Sequence, residues 1–193
     1  MDFLLKKILK CTVCKENLPL GPRPVVQLNK YSRIVIISQA PSRRVHETGI
    51  PWNDASGNKL RAWLNVDEAT FYNPGIFSIL PMGFCYPGKG VSGDLPPRPE
   101  CAPLWHPQVM KHFKNEPLII LIGQYAQRYY LKKDFKGNLT DTVKNYAAFL
   151  PRYFPLPHPS PRNQNWLLVN PWFLNEAIPV LQQEIKTILQ MDL

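Results

Sequence analysis

The strongest constraint on the fold of this chain is the uninterrupted apolar run Ile34–Ile37. Such a run predicts a short strand buried on both faces, as in a parallel sheet that is covered by helices. The run stops at a turn over residues 38–42, which places the polar side chain of Gln39 directly after the strand. In open α/β sheets, ligands bind just outside the carboxyl ends of the strands. We therefore predict that this turn lies at a functional site.

Later apolar segments predict three further strands, at about residues 76–80, 118–122 and 153–156. Between and after them, apolar residues recur at helical spacing, as in 103–113 and 171–190. Strands that alternate with helices are typical of βα units and of a mostly parallel sheet. The sequence contains no internal repeat and no composition boundary, so we predict a single domain over residues 1–193.

The segment that follows the first strand offers candidates for proton transfer. Residues 43–53 are basic and contain His46, and we expect them to form a loop. A helix over about 56–65 comes next, with Ser56 as a plausible N-cap. Asp54 precedes this helix, where a carboxylate commonly serves only as a helix-start residue. Two interpretations of Asp54 therefore stay open, a helix-start residue and a proton acceptor.

The same segment contains an aromatic residue, Trp52, between Pro51 and Asn53. A tryptophan here is either a core residue or a platform on which a flat ring stacks. We expect one crevice to be surrounded by six side chains: Gln39, His46, Glu47, Trp52, Asn53 and Asp54.

A second candidate segment is the sequence HPSP, in which His158 directly follows the last predicted strand. Prolines on both sides restrict the backbone and so fix the direction of the imidazole. A rigid imidazole can donate a hydrogen bond to an anion that develops in a transition state. A lone histidine in a loop is also compatible with a purely solvent-exposed role. Arg162 and Asn163 follow, and could reach a phosphate backbone or the gap in a base stack.

The cysteines form a sparse pattern, with a C-x2-C pair at Cys11 and Cys14 and two more, Cys85 and Cys101, about fifteen residues apart. Intracellular proteins seldom keep disulfides, so such spacing more often indicates a metal or redox site. Four thiolates suit a [4Fe–4S] cluster or tetrahedral zinc. Four ordinary reduced cysteines are the alternative.

The charge balance favours a polyanionic partner. There are 23 Lys and Arg against 14 Asp and Glu, a net charge of +9. Basic residues that neutralise phosphates release counterions and so drive association with nucleic acid, although a merely basic surface would look the same. No segment approaches the roughly 20 apolar residues of a membrane span, and the lysine-interrupted amino terminus does not read as a signal peptide. We expect a cytoplasmic protein, monomeric and without a membrane partner.

Taken together, these motifs resemble the uracil-DNA glycosylase superfamily, nearest its bacterial and archaeal branches that carry an iron–sulfur cluster. Residues 38–42 read SQAPS where those families have GEAPG or GLAPA, and 49–52 read GIPW for G-x-P-F. DASG at 54–57 and HPSP at 158–161 match two further motifs, and the four cysteines reproduce the spacing of the cluster ligands. Each motif is short, but their shared order and spacing cover nearly the whole chain.

The resemblance implies a three-layer α/β/α fold with a central four-stranded, mostly parallel sheet. It implies a monofunctional DNA glycosylase that flips a damaged or deaminated base out of the stack and hydrolyses its N-glycosidic bond. His158 would hydrogen-bond the leaving base, Trp52 would stack on it, and the segment after Pro161 would wedge into DNA. The residues carried over from the motifs are, for substrate, Gln39, Ala40, Pro41, Trp52 and Asn53; for DNA, Ser160, Arg162 and Asn163; and for a [4Fe–4S] cluster, with zinc as second choice, Cys11, Cys14, Cys85 and Cys101.

The chain departs from the family pattern at two positions. Gln39 stands where one branch has a glutamate, and an amide can orient a water but cannot deprotonate it. Asp54 matches the water-activating aspartate of DASG, so we predict Asp54 as the catalytic carboxylate, with Glu47 in reserve. Pro81 stands where the cluster-bearing branch has the asparagine that reads uracil, so another base, or reading by Asn53 or main-chain groups, is possible.

Two other functions stay open at this point. The departures at Gln39 and Pro81 are compatible with a DNA-binding member of the fold that is catalytically weak or inactive. A third candidate is an N-glycoside hydrolase that acts on free nucleosides or nucleotides and is held together by zinc.

Overall fold

The structure is a computed structural model, and it describes residues 1–91 and 93–190. The predicted apolar runs form strands in this part of the chain, and a short hairpin adds two more. The strands are β1 (Ile34–Ile37), β2 (Phe77–Ile79), β3 (Lys89–Gly90), β4 (Gly93–Asp94), β5 (Leu118–Ile122) and β6 (Tyr153–Leu156).

Four of these strands form the central sheet in the order β2-β1-β5-β6, and every neighbouring pair is parallel. Ile34 pairs with Phe77 on one side and with Leu118 on the other. All four residues of β1 are fully buried, as expected for a strand between two parallel neighbours that is covered on both faces. The prediction of a four-stranded, mostly parallel sheet is confirmed. Strands β3 and β4 form a separate antiparallel pair.

Helices follow the strands and cover both faces of the sheet. They are α1 (Asp2–Leu9), α2 (Arg43–Thr48), α3 (Ala55–Leu64), α4 (Glu68–Phe71), α5 (Cys101–Met110), α6 (Gln124–Leu131), α7 (Leu139–Lys144), α8 (Gln164–Val169) and α9 (Ile178–Gln190). Four 3₁₀ turns, at Lys15–Asn17, Lys132–Asp134, Tyr146–Phe149 and Pro161–Asn163, and a π-helical turn at Phe173–Ala177 complete the order.

Alternate residues of the strands pack into two separate cores. Ile34 and Ile36 lie in one cluster with buried residues of α3 and α9. Val35 and Ile37 point the other way, into a cluster with buried residues of α1, α5 and α6. Because successive side chains of a strand leave opposite faces, this division places one helical layer on each side of the sheet. The three-layer α/β/α architecture is confirmed.

Two local expectations around the first strand are wrong. The segment after Ser42 forms helix α2 rather than a loop, because the Ser42 side chain caps it by accepting an amide hydrogen bond. Helix α3 is capped by Asp54 and not by Ser56, since Asp54 Oδ1 accepts a hydrogen bond of 3.0 Å from the amide of Gly57. A carboxylate two residues earlier thus takes the role that we predicted for the Ser56 hydroxyl.

Two other segments also differ from their predictions. The proline- and glycine-rich loop predicted over 86–100 contains the β3–β4 hairpin, and its residue 92 lies outside the described part of the chain. The helix predicted over 171–190 begins as the π-helical turn before α9. Within residues 1–91 and 93–190, no helix is long and apolar enough to cross a membrane.

Candidate active site

A cavity of about 370 Å³ opens at the carboxyl edge of the central sheet. Its walls come from the turn after β1, the segment before α3, the β3–β4 hairpin and the segment after β6. Most predicted substrate, catalytic and DNA-binding residues line it, and they are Gln39, Ala40, Pro41, Trp52, Asp54, His158, Ser160, Arg162 and Asn163. The fold therefore brings together two motifs that lie about a hundred residues apart in the sequence.

Asp54 is held rigidly at the start of α3. Its Oδ1 accepts the 3.0 Å hydrogen bond from the Gly57 amide, and its Oδ2 accepts one of 2.9 Å from the Ser42 hydroxyl. Ser42 is in turn the N-cap of α2, so two helix starts fix a single carboxylate. Each carboxylate oxygen has a second lone pair, and Asp54 can therefore still accept a hydrogen bond from a water in the cavity. Both interpretations of Asp54 are compatible with this geometry, because the helix cap lines the cavity.

Trp52 adopts a backbone conformation that is unusual for a large side chain. Its φ is +58°, in the left-handed region, where a bulky residue is rare and strained. The start of α3 leaves no space behind it, since a Cβ placed on Gly57 would lie 1.7 Å from the Trp52 carbonyl oxygen. The Tyr72 hydroxyl also donates a 2.9 Å hydrogen bond to the carbonyl of Pro51. These contacts hold the indole, which is only 8% exposed, at the cavity wall.

His158 faces the indole of Trp52, with ring centroids 5.6 Å apart and ring planes inclined by 31°. Burial lowers the pKa of His158, and the negative charge of Asp54 opposes that shift. The lowered pKa favours the neutral imidazole at neutral pH, a form that keeps one N–H to donate. The main chain of His158 is fixed by Asn163, whose Nδ2 donates a 2.7 Å hydrogen bond to the His158 carbonyl.

Gln39 lines the cavity through the turn after β1. Its Nε2 donates a hydrogen bond of 3.4 Å to the carbonyl of Leu95, just beyond β4. Its main-chain carbonyl accepts a 3.0 Å hydrogen bond from the amide of Gly83. Gln39 therefore ties together the turn, the segment after β2 and the hairpin. An amide in this position can orient groups in the cavity, but it accepts no proton.

Three predicted crevice residues do not line the cavity. Helix α2 turns Glu47 outward, where it forms an i,i+4 ion pair of 2.8 Å with Arg43 and stays 54% exposed. His46 is buried on the opposite side of the same helix and packs on Tyr86, with ring centroids 6.3 Å apart. Asn53 also lies outside the lining residues. The crevice expectation is wrong for these three residues, because a helix rather than a loop sets the direction of the first two.

The cavity contains a carboxylate that no sequence motif marks as functional. Asp94 ends β4 and lines the same cavity as Asp54. Burial raises the pKa of Asp94, while the charge of Arg162 and a hydrogen bond with Tyr86 lower it. An aspartate in a glycine-rich loop is ordinarily a turn residue, so only the three-dimensional placement identifies it.

The three predicted DNA-binding residues lie together beside His158. Ser160 Oγ accepts a 3.2 Å hydrogen bond from the amide of Arg162 and so caps the Pro161–Asn163 turn. Asn163 supports His158 as described above. The segment is therefore both a wall of the cavity and an exposed turn at its mouth, and contact of this turn with DNA stays a prediction.

Pro81, at the position where the resemblance leads one to expect a base-reading asparagine, lines the cavity as well. Its carbonyl is already occupied, because Nε2 of the buried His106 lies 3.0 Å away and donates to it. His106 Nδ1 lies 2.7 Å from the hydroxyl of Tyr130. The side chain of Pro81 has no polar atom with which to read a base, and its carbonyl already accepts one hydrogen bond.

The four cysteines line a second, smaller cavity. All four are free thiols of intermediate exposure. Burial raises the pKa of Cys85 to about 11 and that of Cys101 to about 12, with smaller contributions from the other thiolates. A bound metal ion would lower the pKa of these thiols again, since it binds the thiolate form. In residues 1–91 and 93–190, however, no three His, Cys, Asp or Glu side chains are grouped so that they could hold a metal ion.

Comparison with known families shows which family the chain is similar to. The family model described as "UDG: Uracil DNA glycosylase superfamily" matches residues 25–182. This range includes every residue that lines the larger cavity. It also includes Cys85 and Cys101, whereas Cys11 and Cys14 precede it.

Proposed function

Because this chain belongs to the uracil-DNA glycosylase superfamily, we propose that it excises uracil or another deaminated base from DNA by hydrolysing the N-glycosidic bond. The observation that carries this proposal is the convergence of Asp54, Trp52 and His158 on one cavity at the carboxyl edge of the sheet. A glycosylase must take its target out of the base stack, and a cavity with an aromatic wall receives such a base. The net charge of +9 supports DNA as the polymer that carries the base.

In the proposed reaction, the extruded base stacks on the indole of Trp52. The bond between C1′ and the base nitrogen breaks, and both of its electrons leave with the base. The N–H of neutral His158 donates a hydrogen bond to the anion that forms, which stabilises charge only in the transition state. The lowered pKa of His158 favours this role, because a neutral imidazole donates without first binding a proton from solvent.

Asp54 acts on the other side of the breaking bond. Its carboxylate stabilises the positive charge that develops on the sugar and accepts a hydrogen bond from the attacking water. The water oxygen forms the new bond to C1′, and its proton passes to Asp54. The two hydrogen bonds from Ser42 and Gly57 hold the carboxylate in one orientation, which limits the reorganisation that the reaction needs.

The test uses single- and double-stranded oligonucleotides that each contain one uracil, hypoxanthine or xanthine, incubated with stoichiometric protein and then treated with alkali. We expect a strand break at the modified position for at least one base. Asp54→Asn is the matched variant, because asparagine is an equally good N-cap but a poor proton acceptor. Retention of the DNA without any break, unchanged in Asp54→Asn, would instead favour a binding protein, and preference for a free nucleoside would favour a nucleoside hydrolase.

We further propose that Cys11, Cys14, Cys85 and Cys101 hold a [4Fe–4S] cluster, with zinc as the alternative. The four thiols line one cavity, and soft thiolate donors suit either group. In residues 1–91 and 93–190 the thiols are not grouped so that they could hold an ion, so binding must draw them together. A cluster at this position would tie the segment after α1 to the loop before α5, and so supply structure rather than chemistry. Brown protein with visible absorbance and bound iron is the expected result. Colourless protein with stoichiometric zinc would reverse the assignment.

A further inference from the structure

The mechanism proposed above leaves one charged pair in the cavity without a role. Asp94 and Arg162 both line it, although they come from the hairpin and from the segment after His158. Their charges interact, since Arg162 lowers the pKa of Asp94 against the effect of burial. A carboxylate and a guanidinium of opposite charge thus both line the wall of the base cavity.

The hairpin backbone is shaped to receive the guanidinium. Gly93 has a φ of +143°, and a Cβ at this position would lie 2.4 Å from Arg162 Nη1. The backbone conformation favours glycine, and a Cβ would force the flexible end of Arg162 to move. The hairpin is itself anchored, because the amide of Leu95 donates a 2.8 Å hydrogen bond to the carbonyl of Gly88 and Gln39 donates to the Leu95 carbonyl. The position of the pair is consequently built into the fold.

The pair offers a specific hydrogen-bonding pattern. An ionised carboxylate only accepts hydrogen bonds, whereas a guanidinium only donates them. Together they complement an edge that carries a ring N–H next to a carbonyl. This lactam edge is common to uracil, hypoxanthine and xanthine. The side chain of Pro81 cannot read it, since it has no polar atom.

We propose that Asp94 and Arg162 read the lactam edge of the extruded base, with Asp94 accepting the ring N–H and Arg162 donating to the adjacent carbonyl. This inference rests on the proposed glycosylase function and names its substrate class. In this proposal the acceptor and the donor come from two residues in separate segments. An asparagine at the position of Pro81 would offer both groups in one side chain. Bases that lack the ring N–H are then poor ligands.

The test measures binding, so that it does not depend on turnover. Oligonucleotides carry a 2′-fluoroarabino nucleotide, whose glycosidic bond resists cleavage, with uracil or 3-methyluracil, and with hypoxanthine or 1-methylhypoxanthine. Dissociation constants are measured by fluorescence anisotropy for the wild type, Asp94→Ala and Asp94→Asn. Glu116→Ala is the matched control, because it removes an exposed carboxylate just before β5, at the opposite edge of the sheet.

For the wild type and Glu116→Ala, we expect N-methylation of the preferred base to weaken binding at least about tenfold, the size of one hydrogen bond to a charged acceptor. Asp94→Ala should bind the methylated and unmethylated bases within about twofold of each other. Asp94→Asn keeps an acceptor oxygen and the side-chain shape, so it should retain part of the discrimination. Equal sensitivity to methylation in the wild type and Asp94→Ala, or no sensitivity in the wild type, overturns the inference.

Single-turnover excision on cleavable versions of the same DNA separates this inference from the function on which it rests. Excision without any Asp94-dependent discrimination would refute the edge-reading role and support the glycosylase function. Discrimination in binding without excision of any base would refute the enzymatic function and support the edge-reading role. Absence of both would refute both.

Discussion

The contact between Gly57 and Trp52 gives the sharpest prediction, because two physical effects oppose each other there. Replacing a helical glycine by alanine ordinarily stabilises a protein by about 0.5–1 kcal/mol. In Gly57→Ala, however, the new methyl group would lie 1.7 Å from the Trp52 carbonyl oxygen, far inside any real contact. Trp52 or the first turn of α3 must then move by about 1 Å or more. Overpacking of this kind costs about 1–3 kcal/mol, so the contact outweighs the helix propensity.

We expect Gly57→Ala to lower the free energy of unfolding, measured by urea titration, by about 1–2 kcal/mol after the two effects are combined. We also expect base excision to fall about a hundredfold, since a displacement of about 1 Å at an active site has that effect. Gly75→Ala is the control, because its new methyl group would meet only the flexible end of Asn73, at 3.1 Å. A Gly57→Ala protein as stable and as active as the wild type would refute the reasoning.

Three further predictions concern single side chains. Asp54→Asn should lower single-turnover excision about 10²–10⁴-fold with a change in unfolding free energy below about 1 kcal/mol, because the N-cap persists; a loss of stability as large as the loss of activity would contradict it. Tyr72→Phe removes the hydrogen bond to Pro51 and should destabilise the fold by about 1 kcal/mol in urea titration; unchanged stability would show that this bond does not support Trp52. Burial lowers the pKa of His106 to about 4 from 6.5. Between these two pH values the unfolded chain binds a proton at His106 and the folded chain does not. The free energy of unfolding should therefore fall as the pH drops from about 6.5 to about 4. That fall should be smaller in His106→Gln and unaltered in His112→Gln, an exposed histidine; identical pH profiles for all three proteins would contradict the assignment.

The sheet was predictable because residue type alone marks its central strands. The runs at β1 and β5 contain only Ile, Val and Leu, and such runs fit few structures other than strands buried on both faces. Helix α2 was missed because its six residues contain a single buried apolar side chain, Val45, too few to show a helical period. The β3–β4 hairpin was missed for the same reason, since each of its strands has two residues.

The candidate site was predictable where short motifs mark it and unpredictable where only geometry does. Asp54 and His158 stand in motifs, and the fold brings both to one cavity. The left-handed backbone of Trp52 has no signal in the sequence, because it accompanies a close approach to Gly57 that only the fold shows. Asp94 looked like a turn residue, and its proximity to Arg162 depends on contacts between segments that are distant in the chain.

The most direct test of the account is chromatographic detection of free base released from DNA under single-turnover conditions. The substrates are the uracil, hypoxanthine and xanthine oligonucleotides, and the proteins are the wild type and Asp54→Asn. The account predicts that the wild type releases at least one of the three bases as an intact free base and leaves an abasic strand, and that Asp54→Asn releases it at least about a hundredfold more slowly. Absence of free base from every substrate, or equal release by the two proteins, would contradict it.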